Sequence, residues 1–311
     1  MSQSVDQFLS QLATNFATAN YDYLWLRTML DQAQHTTTPG STLIVGSSHA
    51  LNAIKECEWN HAINCSMHSQ DLYYDLLCVR RVLTSTQTGI FNKCIIIMGY
   101  YAAYQDLSLS SLEREKYVTD VYYPIFHDAH NWEPPINRDP WAEFGDVPQA
   151  VRKICEDAAV QTILQSGTYY SANHPRGRLY NLNLPWPQLS ETVQLTLGLQ
   201  RAQQHNKLFQ HKSTFEKNKE TLGELIRLLY ACDVQPIVAV APFTAEYNQF
   251  ILPEMKAGMV ELIDSISEDI HYVDFNQTPD IFNSSDFMDT DHLSAHGAEK
   301  VSRILVELFG M

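Results

Sequence analysis

Positive charge is scarce in this chain, and its scarcity excludes some partners. Of the 311 residues, 21 are Lys or Arg and 36 are Asp or Glu, so the formal net charge is −15 at pH 7. Binding to nucleic acid requires clustered Lys and Arg that neutralise phosphates, and anionic membrane surfaces attract similar basic clusters. We therefore expect neither a nucleic-acid partner nor attraction to an anionic bilayer.

Long hydrophobic runs and paired cysteines are also lacking. No run approaches the roughly 18 apolar residues that a membrane span needs, and the N-terminal residues contain no basic group that would indicate a secretory signal. The six cysteines have no paired spacing typical of a zinc site. These features predict a cytoplasmic protein with buried, reduced thiols, no membrane span, and neither a metal nor a cofactor.

Short apolar runs alternate with amphipathic segments in two parts of the chain. Predicted strands lie near residues 43–45, 62–65, 94–98, 236–241 and 271–275, and predicted helices span residues 71–84, 215–232, 255–266 and 299–309. Such alternation is typical of a parallel sheet covered on both faces. We predict one α/β domain over residues 1–311, a three-layer α/β/α sandwich with a five-stranded parallel sheet, in which a helical segment at residues 1–38 comes before the first strand.

A turn suited to chemistry follows the first predicted strand. The apolar run ends at Gly46-Ser47-Ser48, and the next residues have helical spacing. Glycine permits a sharp turn, and the first N–H groups of a helix have no intrahelical partner, so they can face an oxyanion. Two interpretations are open at this point: one of the serines merely caps the helix, or Ser48 projects from the turn as a nucleophile.

A second block of polar residues precedes the last predicted helix. Asp289 and His292 are three residues apart, so the carboxylate can orient the imidazole while the ring reaches a hydroxyl. A cluster of Asp and His is also common on a solvated loop. Within this block we assign the orienting acid to Asp289, and we expect Asp291 to cap or solvate the loop.

The two blocks together resemble the SGNH (GDSL-like) hydrolases and acyltransferases. In that family a Gly-Asp-Ser block near the N-terminus supplies the nucleophile, which Gly46-Ser47-Ser48 matches with Ser47 in place of the aspartate. A C-terminal Asp-x-x-His block supplies the other two triad members, and residues 289–292 match it in full. The resemblance covers residues 40–105 and 215–311. It implies the flavodoxin-like strand order 2-1-3-4-5 and a triad of Ser48, His292 and Asp289.

The middle of the chain departs from that family's pattern. In the family, a glycine after the second strand and an asparagine after the third complete the oxyanion hole. Here residues 66–71 contain no glycine, and the backbone N–H of Ser69 is the candidate donor. Gly99-Tyr100-Tyr101 follows the third predicted strand without an asparagine, so these three are candidate oxyanion or substrate-binding residues. Loss of one donor typically costs about 10²–10³ in rate.

A long insertion at residues 106–214 separates the two parts of the alternating pattern. Its high apolar and aromatic content predicts a mainly helical cap over the site instead of a loop in solvent. His127, Asp128 and His130 fit no standard zinc pattern. Arg201 and His205 belong to a basic and polar run, which is either a solvated helix face or a contact to an anionic substrate.

Two functions of different classes follow from these observations. The first is a serine esterase or O-acyltransferase acting on a small acyl ester, and the end of the C-terminal block, at residues 291–298, resembles the branch of the family linked to cell-surface polysaccharide modification. A small-molecule or carbohydrate ester is then the expected substrate. The second is a catalytically silent α/β binding protein, which the missing glycine and asparagine favour. The oligomeric state is left open by the sequence.

Overall fold

The computed structural model describes residues 4–59, 61–111, 113–133, 139–166 and 184–310. Parts of the predicted insertion, namely residues 112, 134–138 and 167–183, lie outside these ranges.

Five parallel strands form a single sheet in the order β2-β1-β3-β4-β5. The class and the strand order that we predicted are confirmed. The strands are β1 (Ser41–Gly46), β2 (Ala62–Asn64), β3 (Phe91–Met98), β4 (Gln235–Val240) and β5 (His271–Asp274). All parallel strands of one sheet end at the same edge, so the residues that follow β1, β3 and β4 meet there.

Helices flank the sheet, and the central strands are buried because both faces are covered. Helix α3 packs against α11, and α4 packs against α8. The helices are α1 (Val5–Ala19), α2 (Tyr21–His35), α3 (Ser48–Ala53), α4 (Leu72–Ser85), α5 (Tyr123–Phe126), α6 (Gln149–Ser166), α7 (Glu191–Asn206), α8 (Lys212–Ala231), α9 (Ala245–Asn248), α10 (Pro253–Asp264) and α11 (Ala295–Phe309), with a π-helix at Arg114–Tyr122 before α5.

Element boundaries differ from the predicted ones where a specific contact sets them. Helix α11 begins four residues earlier than predicted, because the Ser294 hydroxyl accepts a hydrogen bond from the N–H of Gly297 at 3.3 Å and so caps the helix. Strand β3 also begins earlier, at Phe91, because Phe91 already pairs with Ser41 of β1. Neither contact is visible in the local hydrophobic pattern.

The chain divides into two compact units, and the division runs through the predicted insertion. One unit consists of residues 1–31 and 107–181, and the other, which contains the sheet, consists of residues 32–106 and 182–311. In the first unit α1 packs on α6, and Phe16 stacks on Trp141 with ring centroids 3.9 Å apart. Helix α7 belongs to the second unit. That residues 106–214 act as a cap stays a prediction.

The sequence predicts that no helix spans a membrane. Within the described ranges, none of the helices has both the length and the apolar content needed to cross a bilayer.

Gly46, the last residue of β1, has a conformation and a packing that demand glycine. Its φ is 135°, and a Cβ placed there would lie 2.2 Å from the carbonyl oxygen of Ile97 on β3. We expect Gly46→Ala to lower the free energy of unfolding. Backbone strain alone costs about 1–3 kcal/mol, and overpacking adds to that loss. Urea unfolding followed by circular dichroism measures the loss.

Gly89→Ala is the matched control. Gly89 also has a positive φ, of 88°, but a methyl group placed there would meet no atom within 4 Å among the described residues beyond its chain neighbours. The variant should show the cost of φ alone, about 1–2 kcal/mol. Equal losses of unfolding free energy in the two variants would show that close packing does not contribute to the need for glycine at position 46.

Candidate active site

Ser47 and Ser48 have different roles in the turn after β1. Ser47 is the N-cap of α3, and its hydroxyl accepts a hydrogen bond from the N–H of His49 at 3.4 Å. Ser48 is the first helical residue, and its Oγ lies 2.8 Å from Nε2 of His292. The capping role and the hydroxyl that faces the histidine therefore fall on separate serines, and Ser48 is the one that reaches the imidazole.

The loop before α11 orients His292 through Asp289. Nδ1 of His292 donates to Oδ1 of Asp289 at 3.0 Å, with Oδ2 at 3.2 Å. The same Oδ1 accepts the backbone N–H groups of Asp291 and His292 at 3.0 and 2.9 Å. These bonds place the imidazole proton on Nδ1, so Nε2 is left to accept the hydroxyl proton of Ser48. The structure thus brings together the three residues predicted as a triad.

His292 is almost completely buried, with 1% of its surface exposed. Burial alone would lower its pKa, but the negative charges of Asp289 and Asp291 outweigh burial, and the pKa is raised above the usual 6.5. The imidazole is therefore a stronger base than a free histidine. Such a shift is typical of a residue that accepts a proton during catalysis.

Asp291 is not the solvated bystander that we expected from its place in the loop. Its side chain is fully buried, and its two oxygens each accept from Nε of Arg201 at 3.1 Å. The Thr290 hydroxyl donates to Oδ1 at 2.8 Å, and Nε2 of His49 lies 3.3 Å from Oδ2. Burial by itself raises the pKa of Asp291, but the charge of Arg201 and the contacts with His292 and His49 hold it well below its usual range. Asp291 is therefore ionised.

Two more histidines lie beside this cluster and are neutral. Burial lowers the pKa of His49, which outweighs its hydrogen bond to Asp291, so that contact is a hydrogen bond and not an ion pair. Burial also lowers the pKa of His205 well below its usual range. Nδ1 of His205 bonds to the hydroxyl of Tyr247, and its ring stacks on Tyr101 at 3.9 Å.

The predicted substrate contacts Arg201 and His205 come from α7 to this same cluster. Both are held by protein groups: Arg201 by Asp291, and His205 by Tyr247 and Tyr101. The interpretation of this run as a solvated helix face is wrong for His205, which is only 6% exposed. A direct contact of either residue with substrate stays a prediction.

The candidate oxyanion residues differ in what surrounds them. Ser69 has a φ of 56°, a left-handed conformation that favours glycine, and its N–H donates no hydrogen bond within the described part of the chain. Gly99 has no room for a side chain, because a Cβ would lie 2.8 Å from the Tyr101 ring and 3.0 Å from that of His49. The Tyr100 hydroxyl donates to Asp274 at 2.7 Å.

His49, Asp291 and His292 offer nitrogen and oxygen atoms that lie within 4.8 Å of one another, a grouping that could hold a metal ion. However, the guanidinium of Arg201 already faces both oxygens of Asp291, and Nδ1 of His292 donates to Asp289. A cation at this place would meet the positive charge of Arg201 and would have to displace that proton. The arrangement fits acid–base chemistry better than metal binding.

Asp75 is a buried carboxyl that the sequence pattern did not single out. It lies on α4, is 3% exposed, and accepts the side-chain amide of Gln70 at 2.7 Å. The backbone N–H of Gly46 also faces this carboxyl. Asp75 thus connects the turn that carries Ser48 with the loop that carries Ser69. Burial raises its pKa to about 8, which outweighs the hydrogen bonds that favour the ionised form.

Sequence reasoning missed His49, expected Asp291 to be solvated, and gave Asp75 no role. His49 and Asp291 are direct neighbours of Ser48 and His292, so proximity in sequence was an available signal. The burial of Asp75 had no such signal, because a single aspartate near the start of a helix is usually a capping or solvated residue.

Comparison with known proteins adds no relative to this picture: no family model matches the chain, and no curated protein matches it.

The raised pKa of Asp75 predicts a pH dependence of stability. With a pKa of about 8 when folded and 3.8 when unfolded, Asp75 binds a proton more tightly in the folded state. Its contribution to the free energy of unfolding is therefore greatest below pH 3.8 and is lost as the pH rises through 8. Between these values the loss is up to about 1.4 kcal/mol per pH unit. We expect Asp75→Asn to flatten the fall of the unfolding free energy between those two values, measured by urea denaturation.

Asp157→Asn on α6 is the matched control, because it neutralises an exposed carboxyl. It should leave the slope as in the wild type. A slope that Asp75→Asn does not change would mean that Asp75 is ionised in the folded protein at neutral pH.

Proposed function

We propose that this protein is a serine-dependent ester hydrolase or O-acyltransferase of the SGNH type, acting on a small acyl ester. The observation that carries the proposal is the unbroken set of hydrogen bonds from Ser48 through His292 to Asp289. Ser48 Oγ attacks the ester carbonyl, Nε2 of His292 takes the hydroxyl proton and returns it to the leaving alcohol, and Asp289 keeps the ring oriented.

The developing negative charge on the carbonyl oxygen needs hydrogen-bond donors. The proposal assigns this role to the backbone N–H groups of Ser48 and Ser69. Ser48 N–H is at the start of α3, where a helix has no acceptor of its own, and the φ of 56° at Ser69 supplies the conformation that a glycine would otherwise provide. With no asparagine after β3, a hole of two backbone donors is weaker than one of three.

A carbohydrate-linked ester is the favoured substrate class. What supports it is a cavity of about 370 Å³ at the carboxyl ends of β4 and β5. Aromatic rings and side-chain amides line it, a combination that suits a sugar ring with hydroxyls at its rim. These residues include Trp186, Phe243, Phe275, Phe282, Asn248 and Asn276. The Phe243 ring also contacts His49, with centroids 5.3 Å apart, which leads from the cavity toward the candidate triad.

The second candidate function is a catalytically silent α/β binding protein. The absence of a glycine in residues 66–71 and of an asparagine after β3 is the observation that favours it. Such a protein would keep the fold and the polar cluster without an activated serine.

Reaction with a fluorophosphonate probe separates the two functions, since only an activated serine is labelled. We expect stoichiometric labelling of Ser48, identified by peptide mass spectrometry, and none in Ser48→Ala. The Ser47→Ala variant should still be labelled, because Ser47 caps α3 and does not contact His292 through any hydrogen bond seen in the described residues. Labelling of Ser47 would show that the nucleophile is misassigned by one position, and an unlabelled wild type would favour the binding protein.

Asp289→Asn tests the orienting acid. An amide in place of the carboxylate favours the wrong tautomer of His292, and we expect turnover of p-nitrophenyl acetate to fall by about 10⁴-fold with little change in melting temperature. Asp280→Asn, an exposed carboxyl in the preceding loop, is the control and should retain wild-type turnover. Retention of turnover by Asp289→Asn would remove Asp289 from the triad.

A further inference from the structure

Two carboxylates, not one, face Nδ1 of His292. Oδ1 of Asp289 lies 3.0 Å away, and Oδ1 of Asp291 lies 3.5 Å away. Nδ1 carries a single proton, and two nearby anions would both favour the doubly protonated ring. A general base flanked by two uncompensated carboxylates would hold its proton too tightly at neutral pH. The charge of Asp291 must therefore be balanced by another group.

Arg201 supplies that balance from a distant part of the chain. Its Nε lies 3.1 Å from both oxygens of Asp291, whose side chain is fully buried, while 22% of the Arg201 side chain is exposed. The Thr290 hydroxyl and His49 occupy further acceptor positions on the same carboxylate. In a site so poorly accessible to water, opposite charges at this distance interact strongly.

We propose that Arg201 is a positioning residue of the candidate active site: by pairing with Asp291, it leaves the Nδ1 proton of His292 to Asp289 and keeps the ring neutral enough to accept a proton from Ser48. The consequence for catalysis rests on the proposed function. The effect of the Arg201–Asp291 pair on the titration of His292 does not.

Of the described groups around His292, Arg201 is the one that balances the charge of Asp291. Among the described residues, the loop before α11 contributes Asp289 and Asp291, α3 contributes Ser48 and His49, and α7 contributes Arg201 and His205. The ring of His205 in turn contacts Tyr101 and Tyr247. Burial lowers the pKa of His49 and of His205, and it raises the pKa of Tyr101 to about 12, so these three are neutral at pH 7. In the described ranges, the positive charge that faces Asp291 is that of Arg201.

Close packing of α7 holds Arg201 in place. Gly198, one turn before Arg201, lies against the backbone of α9, where a Cβ would be 2.3 Å from the carbonyl oxygen of Glu246. Thr244, the N-cap of α9, bonds through its hydroxyl to the carbonyl oxygen of Thr290 at 2.7 Å. Helix α7 and the loop of Asp291 are thus both fixed to α9, which sets the distance between the two charges.

The test is a set of four proteins: wild type, Arg201→Gln, Asp291→Asn and the double variant. The pKa of His292 is measured by NMR titration of its ring nitrogens, and kcat/KM for p-nitrophenyl acetate is measured as a function of pH. We expect Arg201→Gln to move the titration and the acid limb of the rate profile to higher pH. At a fixed pH below that limb, the rate should fall about tenfold when the pKa of His292 rises by one, and it should recover at alkaline pH.

Asp291→Asn should shift the titration of His292 in the opposite direction, and the two shifts should cancel in the double variant. Asp291→Asn removes a negative charge, so His292 should titrate at lower pH, and the double variant should return close to the wild type because both charges are gone. Arg227→Gln on α8 removes an exposed positive charge away from this cluster and should leave the profile unchanged. A loss of packing alone would lower kcat at every pH and would not reverse in the double variant.

An Arg201→Gln variant whose His292 titrates as in the wild type would overturn the proposal. If Arg201→Gln fails to fold, the double variant is compared with Asp291→Asn, because these two proteins differ only at residue 201. His292 should titrate at higher pH in the double variant, and equal titrations would overturn the proposal. A wild type that has the expected titration behaviour but no esterase activity would remove the proposed function and retain the charge pair. An active esterase in which no variant shifts the titration of His292 would overturn the charge pair and retain the proposed function.

Discussion

The hydrogen bond between Ser48 and His292 joins residues 244 positions apart, and the rest of the structure serves to make it possible. A parallel sheet ends all its strands at one edge, so the turn after β1 and the loop before α11 meet there. Gly46 lets β1 end abruptly, because its φ and its contact with Ile97 exclude any side chain. Ser47 then caps α3, which leaves the hydroxyl of Ser48 for the imidazole.

Charge balance is the second constraint on the site. His292 needs one carboxylate to orient it, and a second one within 3.5 Å would make it too basic if left uncompensated. The chain places Arg201 against that second carboxylate and keeps the neighbouring His49 and His205 neutral through burial. A buried ion pair is weak evidence for stability, because desolvation offsets much of the attraction. Its position beside His292, the proposed general base, suggests a use other than stability.

Where the chain departs from the SGNH pattern, the backbone offers a partial replacement. Ser69 adopts a left-handed conformation that favours glycine, and Asp75 with Gln70 connects its loop to the turn of Ser48. An asparagine could not stand at position 99, since His49 and Tyr101 fill the space that its side chain would need. The proposed oxyanion hole thus depends on main-chain N–H donors, which every residue except proline carries.

The sequence by itself determined the class of the fold and the order in which strands and helices alternate, and its resemblance to the SGNH pattern implied the set of Ser48, His292 and Asp289. These depend on local signals: hydrophobic periodicity, a glycine at a strand end, and a fixed spacing of three residues between acid and histidine. Only the tertiary structure decided that Asp291 is buried on Arg201, that Asp75 faces Gly46, and that the insertion divides between two compact units. Each of these joins residues distant in sequence, and their partners are chosen by packing and electrostatics that no local pattern records.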